Sequence, residues 1–398
     1  MSTTQRHLLL TGTTGFLGGA LLRELTLSGR YDRISVLVRA DKKKGSRPAD
    51  RVDALIEDLF SPLERDQARS IIMPQAGDFS SSGLGLEPLQ RMRLSETLTE
   101  ILHAGASTKF TAPLDELRAT NVEGARQLLE LACEARARGP FRCYHHVSTA
   151  FVAGQGREPA RETDRCRGQG FANPYEQTKL EAELLIDESR GECPVQVYRP
   201  SIIVGHSRSG YTPHFRVLYW PIRILAGGRM PLVPCVPTAR LDVVPVDFVV
   251  AGILALMDRP GEPGGTFHLT AGLGREVVLR DLLRSACLHF GLRPRPTVPF
   301  WFYRALKYSP LRYALPAEFW QNAKRARPYL DYLLGRSAPF DQTATGRLLQ
   351  AAGVESPRFD RYQDAIFEYC RRTQWGTVEH QPAWMHYAQR GLPVGNIA

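Results

Sequence analysis

The sequence predicts an α/β protein: a doubly wound parallel sheet with a smaller, mostly helical C-terminal lobe. Two observations predict it. Over the first half of the chain, short apolar runs alternate with amphipathic stretches of helical length, and parallel strands need such crossover connections. After residue 205 the alternation weakens, proline and glycine become frequent, and beyond Leu279 the pattern is helical with proline interruptions. A length of 398 residues suits two units. They are expected at 1–275, with a loop-rich excursion over about 205–240, and at 276–398.

Strands are expected at 7–10, 34–38, 71–73, 101–103, 144–148 and 195–198, with a last one at 266–269, where short runs rich in Val, Ile and Leu occur. Helices are expected at 17–27, 49–59, 115–137, 174–188 and 247–257, where apolar residues recur at helical spacing. Open sheets of this kind bind ligands at the carboxyl ends of their strands, so chemistry is expected just after each strand.

Several classes are excluded. The seven cysteines are odd in number and never spaced C-x-x-C, which argues against a disulfide framework or zinc knuckle and favours a reducing cytosol. They read as small buried hydrophobes. A short polar lead runs directly into His7-Leu8-Leu9-Leu10, unlike a signal peptide, and the most apolar stretch, 243–257, carries Pro245 and Asp247 and is too short to span a bilayer. A cytoplasmic protein is expected. The net charge of +10 calls for an anionic partner: nucleic acid, a membrane surface or a phosphate-bearing small molecule.

The first strand runs into Gly12, Thr13, Thr14, Gly15, Phe16, Leu17 and Gly18, opening a helix. Glycines at 12, 15 and 18 allow a tight turn and let a pyrophosphate approach backbone N–H groups at the helix start, as in a Rossmann-type fold. The spacing is G-x-x-G-x-x-G rather than the commoner G-x-G-x-x-G. At the end of the second strand, an acidic residue would grip a ribose 2′-hydroxyl and an arginine a 2′-phosphate. Here it is Arg39, followed by Lys42, Lys43, Lys44 and Arg47. Position favours NADPH over NADH.

The fifth strand ends in two hydroxyls, Ser148 and Thr149, and Asn173-Pro174-Tyr175 begins a helix that carries Lys179. Tyr175 and Lys179 are four apart and share a helix face. A cation beside a phenol lowers its pKa from about 10 and makes a usable proton donor.

With these pieces in order, the chain resembles the extended short-chain dehydrogenase/reductases, and within them the thioester reductase and fatty acyl-CoA reductase (male-sterility-like) branch. Matching motifs run over roughly 6–275 and include Gly77-Asp78-Phe79, His103-Ala104-Gly105-Ala106, Thr120-Asn121-Val122 and Arg199-Pro200-Ser201-Ile202. The resemblance implies roles. Thr149 would be the catalytic hydroxyl, with Ser148 the less favoured candidate. Tyr175 would protonate the substrate oxygen, and Lys179 would bind the nicotinamide ribose. Asp78 and Phe79 would flank the adenine, and Ala104, Gly105 and Ala106 would line the cofactor channel. Asn121 would order its helix near the site, and Pro200 and Ile202 would border the carboxamide. The chain departs from the pattern at Gly105, where alanine is commoner, and at Lys109, to which the resemblance gives no role.

The implied reaction is hydride delivery from NADPH to an acyl thioester, on CoA or a carrier protein, giving an aldehyde and then an alcohol if a second hydride follows. Two other readings stand beside it: a sugar or sterol dehydrogenase or epimerase, against which Arg39 argues, and a cofactor sensor, which has no need of Tyr175. The segment 292–330 holds eight cations against Glu318 alone, interleaved with nine aromatics. It reads as a core helix pair with solvated arginines, or as an acyl-binding lid whose basic rim meets CoA phosphates, an acidic carrier protein or an anionic, peripheral membrane surface. Nucleic acid is not expected, because no binding motif supports it. Two further patterns are set aside. Ser209 occupies the position where a hydrolase elbow at Ser207 needs glycine, and His145 and His146 point to opposite faces of a strand and cannot share a metal.

Overall fold

In the computed structural model of the chain, residues 5–40, 45–258, 265–378 and 381–387 are described. Seven strands form one sheet: β1 (His7–Thr11), β2 (Arg33–Val38), β3 (Ile72–Ala76), β4 (Glu100–His103), β5 (Cys143–Val147), β6 (Val195–Pro200) and β7 (Thr266–Leu269). Their order is β3-β2-β1-β4-β5-β6-β7, and every pairing is parallel. The order reverses between β1 and β4, and a ligand crevice belongs at that switch point.

The side-chain period of two sorts the sheet into two cores. On one face Leu8, Leu10, Ile34, Val36 and Leu102 pack with α1 (Phe16–Leu27), α2 (Pro48–Leu59) and later helices. On the other, Leu9, Ile101, Tyr144 and Val197 pack with α3 (Leu114–Arg138) and α4 (Pro174–Glu188). Burial on both faces explains why the strands read as continuous apolar runs.

A third core lies over the carboxyl ends of the strands. It joins Ile202, Val204, Leu241 and Val243 to α5 (Tyr219–Ala226) and to a later helix, α7 (Leu279–His289), past the intervening α6 (Val246–Met257). Two shorter helices, α8 (Phe300–Lys307) and α9 (Ala317–Arg325), form an arm beside it. Strand Thr297–Val298 ties the arm to Val233–Pro234. Leu349, Val354, Tyr369 and Ala383, all beyond residue 275, share the first core with β1 and β2. The chain therefore returns to the sheet after forming the arm.

Three helices depart from the expected pattern. The excursion at 205–240 contains α5 because Pro221 falls in its first turn, where a missing N–H breaks no intrahelical bond. Helices at Arg65–Ile71 and Pro88–Thr97 were not expected, since they bury only Ala68 and only Leu94 and Ser95, respectively, and show no amphipathic period. Among the described residues no helix is long and apolar enough to cross a membrane. Cys193, Cys235, Cys287 and Cys370 are buried as expected, whereas Cys166 is exposed.

Candidate active site

The turn after β1 is built by backbone proximity. Gly12 has φ +79°, and a Cβ there would sit 2.6 Å from the Ala104 carbonyl carbon and the Gly105 nitrogen. A Cβ on Gly18 would lie 2.1 Å from the Gly12 oxygen. Glycine is required at both positions, and the second seats α1 directly on the loop. Gly15 precedes α1 and its N–H donates to the Gly12 carbonyl at 2.9 Å, while Thr14 is exposed. The Thr13 hydroxyl is buried without a hydrogen-bond partner. An open helix start, a glycine cradle and an orphaned hydroxyl fit a dinucleotide pyrophosphate.

At the end of β2 the exposed Arg39 guanidinium lies 3.5 Å from the Asp78 carboxylate, and Arg51 on α2 donates to the Arg39 carbonyl at 2.7 Å. Arg51 is a basic neighbour that sequence reasoning did not single out. Arg47 is occupied by Asp50 in a capping box at 2.9 Å. Lys42, Lys43 and Lys44 lie outside the described residues. The Asp78 carboxylate also accepts from the Ser80 N–H and hydroxyl at 3.0 and 2.6 Å.

Phe79 explains the departure at Gly105. Its ring fills a slot against β4 and α3: a Cβ on Gly105 would lie 2.8 Å from it, and one on Gly124 2.6 Å. The ring meets His103 edge-on at 5.2 Å, and His103 accepts or donates at 2.7 Å to Thr11 in the buried interior. Alanine at 105 has no room beside this phenylalanine. Asn121, buried on α3, accepts from the Ser107 N–H at 2.7 Å and donates to the Ser107 carbonyl and the Thr178 hydroxyl at 3.1 and 3.0 Å. It thus clamps the loop after Ala106 to the helix that carries Tyr175.

Tyr175, Ser148 and Thr149 line one cavity of about 840 Å³ with Gly12, Ala104 and Ala106. Phe16, Leu17, Pro200 and Ile202 line it too. Thr149 is committed: its hydroxyl donates to the Pro200 carbonyl at 3.3 Å and accepts from the Phe151 N–H at 3.3 Å. The Ser148 hydroxyl is buried with no partner. Burial, and after it the charge of Glu176, pushes the Tyr175 phenol up from its ordinary value. This corrects the expected lowering by Lys179. The Lys179 amine, on the same helix, donates instead to His146 Nε2 at 2.9 Å, and burial lowers its pKa to about 8 against the opposing charge of Glu183. Tyr175 is therefore a protonated phenol rather than a primed phenolate.

His146 is the neighbour that sequence reasoning missed. Burial, and next the Lys179 charge, hold its pKa well down, so Nε2 accepts from Lys179 and Nδ1 faces the Tyr144 hydroxyl at 3.2 Å. It sits two residues before Ser148, so strand alternation already placed both on one face. His145, on the opposite face, meets Tyr198 at 2.9 Å. Glu176 was missed as well. Its buried carboxyl, raised to about 7 by burial, accepts from Tyr332 at 2.7 Å and from the Ala172 N–H at 3.0 Å. Tyr332 lies in the short helix Leu330–Leu333, so this contact joins the segment that follows the arm to the start of α4.

A second chamber of about 730 Å³ opens beside the first. It is walled by α5, α7 and the arm through Trp220, Ile224, Leu225, Leu282, Phe300 and Tyr303. Ile202, Val217, Tyr329 and Tyr332 line both spaces and form the partition between them. The segment 292–330 is thus neither a closed core pair nor free surface: Phe300, Tyr303 and the largely exposed Tyr308 line this chamber, while Trp301 and Tyr313 are exposed and do not line it. Lys109 pairs with Glu116 at 3.2 Å on the rim of the first cavity.

A glycine cradle at the switch point of a parallel sheet, with a hydroxyl-bearing β5 and a Tyr175–Lys179 helix beside it, defines an extended short-chain dehydrogenase/reductase. The chain belongs to the male sterility protein family, an NAD-binding family whose model matches residues 10–253. It is 27% identical to the fatty acyl-CoA reductase wat of Drosophila melanogaster over 63% of this chain and 53% of that protein. It is 32% identical to a linear gramicidin synthase of Brevibacillus parabrevis over 92% of this chain and 7% of that protein. The terminal R domain from the myxalamid PKS-NRPS pathway superposes with a TM-score of 0.77 at 27% identity, covering 96% of this chain and 94% of that one. The chain thus spans about half of one curated relative and a small part of the other. Family and fold place the chain among the extended short-chain dehydrogenase/reductases, with an NAD-binding Rossmann-type sheet.

Proposed function

We propose that the protein reduces an acyl thioester with NADPH, releasing an aldehyde and a free thiol, and that long-chain acyl groups are favoured. The observation that carries this reading is the apolar chamber that shares a wall with the cavity holding Tyr175, Ser148 and Thr149. A sugar substrate would leave such walls unmatched. Gly12, Thr13, Gly15 and Gly18 would hold the pyrophosphate, Arg39 and Arg51 the 2′-phosphate, and Lys179 the nicotinamide ribose. NADPH, when bound, supplies the hydride for the thioester carbonyl carbon.

Tyr175 and the uncommitted Ser148 hydroxyl hydrogen-bond the carbonyl oxygen as negative charge develops there, and Thr149 joins them once its hydroxyl turns from the Pro200 carbonyl. Tyr175 gives its proton to that oxygen, producing a hemithioacetal. The hydroxyl then returns its proton to the Tyr175 phenolate as the C=O bond re-forms and the C–S bond breaks, and the leaving thiolate takes from solvent the one proton that the net reaction consumes. The apolar partition keeps water from the reacting carbon.

Tyr175→Phe tests the assignment. Turnover should fall at least about a hundredfold, the range expected on losing a positioned acid, while NADPH affinity is retained. Full activity in that variant would remove Tyr175 from the role.

A lipid surface as the source of the acyl group is a second reading, favoured by exposed Trp301, Tyr308, Leu311 and Tyr313 set among Arg304, Lys307 and Arg312. Sedimentation with phosphatidylglycerol vesicles, but not with phosphatidylcholine vesicles, is the expected result. Equal recovery in the supernatant from both would dismiss it.

A further inference from the structure

Where the catalytic cavity and the apolar chamber meet the surface, a third space of about 720 Å³ is lined by Phe110, Thr111, Gln321, Lys324, Arg325 and Arg327, together with Ala172 and Pro328. Phe110, Thr111 and Pro328 also line the catalytic cavity, and Gln321, Lys324 and Arg327 also line the apolar chamber. It is therefore a vestibule common to both. Among the described residues no carboxylate lines it. Lys324, Arg325 and Arg327 are exposed and form no ion pair or side-chain hydrogen bond among the described residues. Glu318, the one acid in 292–330, is turned to Arg229 at 3.3 Å and does not neutralise them.

A second observation points to a ligand. Asn322, on α9 two residues before Lys324, is buried and lines the apolar chamber, yet its Nδ2 has no hydrogen-bond acceptor. An unpaired buried amide costs free energy unless a partner arrives. One helix thus offers an amide donor inside and cations outside, along the route to Tyr175.

We infer that Lys324, Arg325 and Arg327 form a phosphate subsite for the phosphopantetheine arm that delivers the acyl thioester, with Asn322 donating to an amide carbonyl of that arm. The inference rests on the thioester reading. The phosphate chemistry is shared by two sources: CoA, and the phosphodiester of a holo carrier protein. A guanidinium fork and an ammonium suit both.

The test uses the full chain and one acyl group presented three ways: on CoA, on a holo carrier protein, and on pantetheine, which lacks phosphate. Calorimetry with desulfo-CoA, which cannot react, reads binding alone. The wild-type protein should show a KM at least about tenfold lower for a phosphate-bearing thioester than for the pantetheine ester. In K324Q/R325Q/R327Q that preference should collapse, and its KM for the phosphate-bearing ester should lose the rise with ionic strength expected of the wild type. An unchanged unfolding midpoint would show that the variant is folded. Preference confined to CoA, with matching loss of desulfo-CoA binding in the variant, supports the subsite with CoA as source; preference confined to the carrier supports it with the phosphodiester as source. Asn322→Leu should raise the KM of all three esters, since all carry the amides. A wild-type protein that takes the pantetheine ester equally well overturns the inference, as does a triple variant that keeps its phosphate preference. Should none of the three esters be reduced, the thioester reading fails, and desulfo-CoA binding that the triple variant retains, or that the wild type lacks, then overturns the subsite separately.

Discussion

Lys179 should make activity and stability respond to alkaline pH in opposite directions. Burial lowers its pKa from 10.5 to about 8. At about 1.4 kcal/mol per pKa unit, that shift is worth roughly 3 kcal/mol between the two protonation states. Below pH 8 the folded protein carries an ammonium in a site that resists charge, a cost the unfolded chain does not bear. Between pH 8 and about 10.5 the folded amine has lost its proton while the unfolded one keeps it, so the unfolded state binds more protons and stability rises with pH. Activity should run the other way, because the proposed ribose contact would use the cation that also donates to His146. Tyr175 does not obscure this, since burial and Glu176 push its phenol upward.

The assay is kcat/KM from pH 6 to about 10, alongside denaturant unfolding of the wild type and Lys179→Met over the same range. An alkaline limb near pH 8 in the wild type is expected, and the stability of the wild type should gain on that of the variant as pH rises from 8 to 10. A flat kcat/KM profile to pH 10, or a stability difference independent of pH, would refute the reasoning.

Gly105→Ala should cost about 1–3 kcal/mol in overpacking against Phe79, read as a lower unfolding midpoint; Phe79→Leu in the same chain should recover part of the loss. Arg39→Asp should erode the preference for NADPH over NADH, measured as the ratio of kcat/KM values, because a carboxylate repels the 2′-phosphate and accepts from a free 2′-hydroxyl. Asn121→Ala should lower kcat more than it raises the KM for NADPH, since the clamp between Ser107 and Thr178 positions the Tyr175 helix; a purely structural role would instead lower the unfolding midpoint with kcat unaltered.

The sheet was legible because its strands are buried on both faces and its crossovers are long, so apolar runs and helical periods alternate without interference. The helix at Tyr219–Ala226 was hidden by Pro221, whose first-turn position only the structure reveals. At the site, Gly12, Ser148 and Thr149 could be read because each directly follows a strand, and Tyr175 and Lys179 because they lie four apart on the next helix. What could not be read were partnerships across the sequence. Lys179 meets His146, 33 residues away, and Glu176 meets Tyr332, 156 residues away. The phenol's pKa was misjudged for the same reason: four residues along a helix gives a shared face, but burial and the competing histidine decide where the amine points. Gly105 looked like a departure until Phe79 was seen to occupy the space of its missing methyl.

The most direct measurement follows NADPH absorbance and free thiol together, with purified protein and a panel of acyl-CoAs of increasing chain length. Thiol release equimolar with NADPH oxidation is predicted if the aldehyde is the product, and half that amount if reduction continues to the alcohol, with long chains preferred. NADPH oxidation without any thiol release would contradict thioester reduction.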